Sequence, residues 1–221
     1  YVATVDVLLD LSLRVERDYG MKVEELDVGG GLGIAYEASD DPPSISDTLE
    51  AISLAVVRGC AERGLTLPKL IIEPGRSIVG TAGVTVYTVG ARKEIPAVRT
   101  YVAVDGGMPD NPRVITYGAR YTADRVVAGE PEERVTIAGK CCESGDILIK
   151  DIDLPKLQAG DHLVVWATGA YCFAMASNYN RLARPAMVLV AEGHPEVIRE
   201  RETFADIVSR DRLPNRLGGS R

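Results

Sequence analysis

Two short stretches hold residue types that could do chemistry. Gly29 to Gly33 places four glycines in five positions, directly after a short apolar run. Glycine is entropically costly to order, so such a cluster makes sense where something must approach the main chain more closely than a Cβ would allow. Backbone N–H groups in a turn of this kind can converge on an anion, usually phosphate. A tight strand-to-helix turn with no ligand is the alternative. The specific nucleotide fingerprints fail. A G-x-G-x-x-G motif starting at Gly29 would need glycine where Ile34 stands, and Gly139-Lys140 is followed by Cys141 rather than Ser or Thr. The second stretch is Glu73-Pro74-Gly75-Arg76. It supplies another close backbone approach at Gly75, a guanidinium fork at Arg76 and a carboxylate at Glu73. For Arg76 alone, a surface salt bridge is the alternative.

The elements that must position these residues can be read from periodicity. Val5, Leu8, Leu9, Ser12, Val15 and Tyr19 recur at helical spacing and stop at Gly20. The chain opens at Tyr1 inside this pattern, so a segment of a longer or processed protein is expected. Glu25–Val28 reads as a strand. A second helix follows, with Asp47 and Glu50 as a capping pair, an apolar face of Leu49, Ile52, Val56 and Cys60, and Gly64 at its end. Leu70–Ile72 reads as a buried strand. Together these form one βαβ unit with parallel strands, which puts both glycine-bearing loops at the same, carboxyl end of the sheet. That end is where α/β proteins bind ligands.

Beyond Gly80 helical periodicity nearly vanishes. Val84–Val89, Thr100–Val104, Val135–Ala138, Asp146–Ile149, His162–Ala167 and Ala186–Ala191 are β-rich runs, with one short helix near Phe173–Tyr179. The polar, Gly-containing end is expected to be a flexible tail. The fold expectation is therefore α/β plus all-β: 1–80 as an α/β unit of barrel or open-sheet type, 81–204 as a β-sandwich or Greek-key-like domain, and 205–221 as tail.

The bulk properties exclude several classes. The 221 residues carry a net charge of −7, which argues against non-specific nucleic-acid binding. No apolar run approaches the ~20 residues that span a bilayer, and no signal peptide is visible. Cys60, Cys141, Cys142 and Cys172 lack metal-ligand spacing, so no metal site is expected. They do not resemble a secreted disulfide scaffold either, and a reducing cytoplasm fits better. His162 and His194 have no identifiable partners.

The order of the motifs makes the sequence recognisable. "GGGLG", "EPGR", "CESGD" (Cys142–Asp146), "GAY" (Gly169–Tyr171) and "YN" (Tyr179–Asn180) closely resemble the diaminopimelate decarboxylases, which are fold-type III pyridoxal-phosphate enzymes. The resemblance covers about Val5 to Ile207 and matches only the C-terminal half or so of such an enzyme, which implies that 1–80 are the last strands of a partial (β/α) barrel. It implies pyridoxal 5'-phosphate as cofactor, held through its phosphate by Gly29, Gly30, Gly31, Gly75 and Arg76. Glu73 would face the pyridine nitrogen and keep it protonated. Substrate contacts would come from Arg76, Arg113, Tyr117, Glu143 and Tyr171, with Tyr171 also near the cofactor. Arginine suits a substrate carboxylate because its fork binds bidentately. Read from the residues alone, Arg113 is a surface charge and Tyr117 a core aromatic. Cys142 would be the proton donor, a general-acid role, with an inert buried thiol as the alternative. Cys141 departs from the family's single cysteine. On a strand neighbours point opposite ways, so only Cys142 is expected to face the site. Asp105 and Asp146 read as turn residues.

The resemblance also implies a homodimer with shared active sites and decarboxylation of meso-diaminopimelate to L-lysine. A non-catalytic decarboxylase-like subunit, or a decarboxylase of another amino acid, are the other readings. The family's cofactor-bonded lysine lies in a barrel half upstream of Tyr1, so this chain is expected to be inactive alone. Lys22, Lys69, Lys93, Lys140, Lys150 and Lys156 are its lysines. Lys69 precedes Leu70 at the amino end of its strand and should not reach the loops.

Overall fold

The computed structural model describes residues 1–218, which divide into two units. The first comprises 1–84 with 166–170, and the second 85–165 with 171–218. The boundary expected at residue 80 thus falls a few residues later, and the short segment 166–170 returns to the first unit.

The first unit is built on α1 (Val2–Tyr19), β1 (Glu25–Gly30), α2 (Ile45–Arg63), β2 (Lys69–Glu73) and the short α3 (Gly75–Val79). Gly20 ends α1 in the left-handed conformation, φ 67°, and returns its N–H to the Glu16 carbonyl at 2.9 Å. Gly64 does the same for α2 at φ 64°. The α2 N-cap is Ser44, whose side chain accepts the Asp47 N–H at 3.0 Å. Asp47 therefore lies inside the first turn as an acidic residue favoured by the helix dipole, not as the cap. Val5 and Leu9 of α1 pack with Ile52, Val56 and Cys60 of α2 on Leu26 and Val28 of β1. The helices approach closely because position 59 is glycine: a Cβ there would sit 2.5 Å from Leu9 Cδ1. β1 and β2 are parallel, with Glu25 opposite Lys69 and Gly30 opposite Glu73.

The second unit contains one six-stranded mixed sheet in the order β5-β8-β3-β4-β6-β7. Its strands are β3 (Thr85–Ile95), β4 (Arg99–Val104), β5 (Ala123–Arg125), β6 (Glu133–Ala138), β7 (Ile147–Leu154) and β8 (His162–Val165). All neighbours are antiparallel except β4 and β6. The parallel pair needs a long crossover, and that crossover carries α4 (Arg113–Tyr117) and β5. The two edge strands, β5 and β7, come within 8 Å of each other between Cα atoms, so the sheet curls almost closed. Val89, Val102, Val104, Val135, Ile137, Leu163 and Val165 fill its core. The β-sandwich or Greek-key-like domain expected here is all-β, as expected, and takes the form of this nearly closed mixed sheet. A separate hairpin, β9 (Met187–Ala191) and β10 (His194–Arg199), turns through Glu192 and Gly193, both at positive φ. Pro195 disguised β10 in the sequence.

Two further expectations change. The helix near Phe173–Tyr179 is two separate 3-10 turns, Phe173–Met175 and Tyr179–Arg181. The tail begins with α5 (Phe204–Val208), started by a capping box: Thr203 Oγ1 accepts the Asp206 N–H, and Asp206 accepts the Thr203 N–H at 2.7 Å. Residues 219–221 of the expected tail lie outside the described residues. Among the described residues no helix is long and apolar enough to cross a membrane.

Candidate functional site

The candidate residues fall in both units. In the first, the chain leaves β1 through a turn whose shape requires glycine at three consecutive positions. Gly29 and Gly31 have φ of 75° and 88°, a region costly for other residues. Gly30 sits against β2: a Cβ would lie 2.1 Å from the Glu73 carbonyl oxygen. The Asp27 carboxylate accepts the Gly29 N–H at 2.8 Å, an Asx-type turn.

Arg76 binds this turn directly. Its Nε donates to the Leu32 carbonyl at 3.0 Å and its Nη2 to the Gly31 carbonyl at 2.8 Å. The fork expected to grip an anion thus uses two of its donors to fasten the EPGR segment onto the glycine turn. The two loops lie side by side, as their parallel strands require. Beyond adjoining chain atoms, nothing lies within 4 Å of where a Cβ on Gly29 or Gly75 would stand, which leaves open space on that side of the main chain. Glu73 is exposed at the end of β2. Lys69, at the opposite end of that strand, gives its ammonium to Glu25 at 2.9 Å. A glycine turn open to approach, a second glycine beside it and a carboxylate at the strand end fit a phosphorylated, nitrogen-containing ring.

Segment 166–170 contributes Gly169 of the GAY motif. Its N–H reaches the Gly80 carbonyl at 3.0 Å, and a Cβ on it would stand 1.8 Å from the Val79 carbonyl. Glycine is obligatory there for packing.

In the second unit Arg113 opens α4 and is 9% exposed, whereas Tyr117 four residues later is 69% exposed. Both residue-only readings are reversed: the arginine is the buried member and the tyrosine the surface one. The Arg113 guanidinium lies over two rings, 6.0 Å from the centre of Tyr121 and 5.5 Å from that of Tyr171. Tyr171 has φ 66°, a strained backbone for an aromatic residue.

Cys141 and the CESGD segment after it form a bend, not a strand, so alternation does not sort the two adjacent thiols. Asp146 does. Its buried carboxylate accepts the N–H of Cys141 at 2.8 Å and of Met108 at 2.7 Å. Gly107 and Gly139 pack so tightly on it that a Cβ on either would fall within 2.5 Å of its oxygens. Burial first, then the Asp146 charge and hydrogen bond, push the Cys141 thiol up to about 11, while Asn180 pulls the other way. Cys142 is exposed and free, and Glu143 beside it is exposed as well. Tyr179 donates its hydroxyl to Glu143, which raises the phenol's pKa. Asp146, Tyr179 and Asn180 thus hold the loop that carries Cys142. In sequence Asp146 reads as a turn residue and the "YN" pair carries no role, although both stand in recognised motifs.

A separate polar cavity of about 70 Å³ is lined in part by Tyr87, Asp105, Asp110, Lys140 and Arg201. Tyr87 hydrogen-bonds the Asp110 carboxyl, which also accepts the Gly107 N–H at 3.0 Å. Burial raises Asp110 from 3.8 to about 6 despite these bonds. Between about pH 4 and pH 6 the folded state therefore holds a proton that the unfolded state has lost, so stability falls as pH rises through that window. The difference amounts to about 3 kcal/mol as an order of magnitude. Asp110→Asn is expected to flatten this slope and raise the Tm at pH 8, measurable by thermal melts of the full-length protein from pH 4 to pH 8. An unchanged slope would assign the pH dependence elsewhere.

Comparison with known proteins follows the same pattern. Residues 2–169 match the family described as "Pyridoxal-dependent decarboxylase, C-terminal sheet domain". The chain belongs to this family. Among curated relatives, the diaminopimelate decarboxylase of Synechocystis is 55% identical over 90% of this chain and 43% of its own length. That of Bacillus subtilis is 50% identical over 90% of this chain and 46% of its own length. The crystal structure of diaminopimelate decarboxylase from M. jannaschii in co-complex with L-lysine aligns at a TM-score of 0.90 with 36% identity, covering 98% of this chain and 49% of that one. The chain thus spans about half the length of the relatives it matches, and the matched family is pyridoxal-dependent.

Proposed function

We propose that this chain is the C-terminal part of an enzyme that decarboxylates meso-diaminopimelate to L-lysine with pyridoxal phosphate, and that it is inactive without the remaining barrel half. The observation that carries this reading is the Arg76 clamp, which fastens the glycine turn and the EPGR segment side by side. Identity of 50–55% to diaminopimelate decarboxylases supports the choice of substrate.

The Gly29–Gly31 turn and Gly75 hold the cofactor's phosphate, with Arg76 bracing the turn and reaching substrate. Bound there, pyridoxal phosphate would supply a protonated ring able to take up the electron pair released as CO2 leaves. The Glu73 carboxylate, exposed at the end of β2, would favour the protonated ring nitrogen. Arg113 pairs with the substrate carboxylate that is not lost, with Tyr117, Glu143 and Tyr171 completing the contacts. The Cys142 thiol returns a proton to the carbon that loses CO2, as a general acid. The working enzyme is a homodimer whose sites draw on both subunits.

The full-length enzyme should decarboxylate meso-diaminopimelate far faster than lysine, ornithine or arginine in a substrate panel. Comparable turnover on ornithine would overturn the substrate assignment. Borohydride trapping of the pyridoxal-phosphate-loaded protein should leave Lys22, Lys69, Lys93, Lys140, Lys150 and Lys156 unmodified. An adduct on any of them would overturn the division of labour between the two halves.

A further inference from the structure

Arg113 does not act alone. Its Nη1 donates to the Tyr121 hydroxyl at 2.9 Å, and that hydroxyl lies 3.4 Å from Cys172 Sγ. The Cys172 thiol in turn donates to Asn111 Oδ1 at 3.5 Å. Tyr121 and Cys172 are each 3% exposed and Asn111 is 2% exposed, so the relay runs through the interior of the second unit. A guanidinium only donates, so the Tyr121 oxygen accepts from it, and in the Tyr121–Cys172 contact either the hydroxyl or the thiol donates. Burial pushes the ionisation of both the phenol and the thiol upward, which keeps them neutral. The Tyr121 ring lies under the guanidinium on one contact and the Tyr171 ring on another. Tyr171 and Cys172 are adjacent, so the positive φ at Tyr171 serves both: its ring meets Arg113 while the next side chain turns inward to Tyr121.

We propose that Tyr121, backed by Cys172, is a positioning residue that fixes the Arg113 guanidinium in the orientation that receives the retained carboxylate of the substrate. This rests on the reading of Arg113 given above. A guanidinium on a flexible stem loses rotamer freedom when it binds, and a preset orientation removes that loss from the binding step. Tyr121 touches neither substrate nor reacting atoms in this scheme, so its effect belongs in substrate affinity.

The test uses the full-length holoenzyme with Arg113→Ala, Tyr121→Phe and their combination. Decarboxylation of one end of meso-diaminopimelate leaves L-lysine, which keeps the retained carboxylate, whereas cadaverine lacks it. Tyr121→Phe should raise the KM for meso-diaminopimelate and the inhibition constant of L-lysine about tenfold, as loss of one hydrogen bond to a charged group predicts. It should leave kcat within about twofold and cadaverine inhibition unchanged, because no reacting group is altered. On the Arg113→Ala background it should add nothing. A shift in cadaverine inhibition equal to that of L-lysine, or an undiminished Tyr121→Phe effect without Arg113, would overturn the proposal. If Arg113→Ala itself leaves KM unchanged, the reading of Arg113 fails first. If Arg113→Ala raises KM while Tyr121→Phe does not, only the positioning role fails. Should Tyr121→Phe not fold, Cys172→Ala takes its place with Cys172→Ser as the rescue. Cys172→Ala is then expected to raise KM with kcat retained, and an unchanged KM would overturn the proposal.

Discussion

Gly30→Ala in the full-length enzyme is expected to weaken pyridoxal phosphate binding about 100-fold and lower the Tm by several degrees. The new Cβ would stand 2.1 Å from the Glu73 carbonyl oxygen and 3.1 Å from its carbon. Those are backbone atoms, which cannot swing aside as a flexible side chain can. The two strands must separate, and separation strains the Gly30–Glu73 register that sets the loops together. Overpacking of this kind costs roughly 1–3 kcal/mol, and ~3 kcal/mol corresponds to about two factors of ten in affinity. Arg76 is linked to the same strain, because it grips the carbonyls of Gly31 and Leu32 immediately beyond. Gly75→Ala makes the contrast. Nothing lies within 4 Å of its would-be Cβ, and alanine is the better helix former at the start of α3. Its Tm should hold, yet its cofactor affinity should fall if phosphate approaches the main chain there. Spectroscopic titration with pyridoxal phosphate alongside thermal melts separates the two. An unchanged titration for both variants would remove the phosphate from this turn.

Cys142→Ala should lower kcat by roughly 10²–10⁴, the usual contribution of a positioned general acid, with KM little changed. Cys141→Ala should leave kcat within about threefold, since the reactive proton is not its own. The neighbours differ because their surroundings differ. Cys141 is half-buried, bonded through its thiol to Asp146 and Asn180 and pushed up to about 11. Cys142 is exposed on the same bend. Stopped-flow turnover together with solvent deuterium incorporation into the product checks the assignment. If Cys142→Ala turns over within twofold of the parent while Cys141→Ala is severely impaired, the two thiols have been assigned in the wrong order.

Much of this protein is legible in the chain itself. The ends of α1 and α2 were readable because Gly20 and Gly64 take a left-handed conformation that other residues resist. The parallel pairing of β1 with β2 followed from a helix between two apolar runs, and it placed the glycine turn and EPGR at one edge. Local chemistry sets such features, so local sequence reports them. The motif order identified the family for the same reason: backbone approach, a guanidinium and a thiol each demand one residue type at one place.

What pairs with what across long separations was decided only by the tertiary structure. Nothing in the spacing shows that β4 lies parallel to β6, because that neighbour relation is set by how the whole sheet curls to bury its apolar face. Nor does eight-residue separation place Tyr121 against Arg113, or 57 intervening positions place Tyr171 over it. The exchange of roles between buried Arg113 and exposed Tyr117 has the same origin. Helical spacing puts the two on neighbouring turns, but which of them is buried depends on what packs against α4. Asp146 looked like a turn residue because its covalent neighbours are Gly145 and Ile147. It became the anchor of the cysteine loop only when folding brought the Met108 and Cys141 amides to its two oxygens.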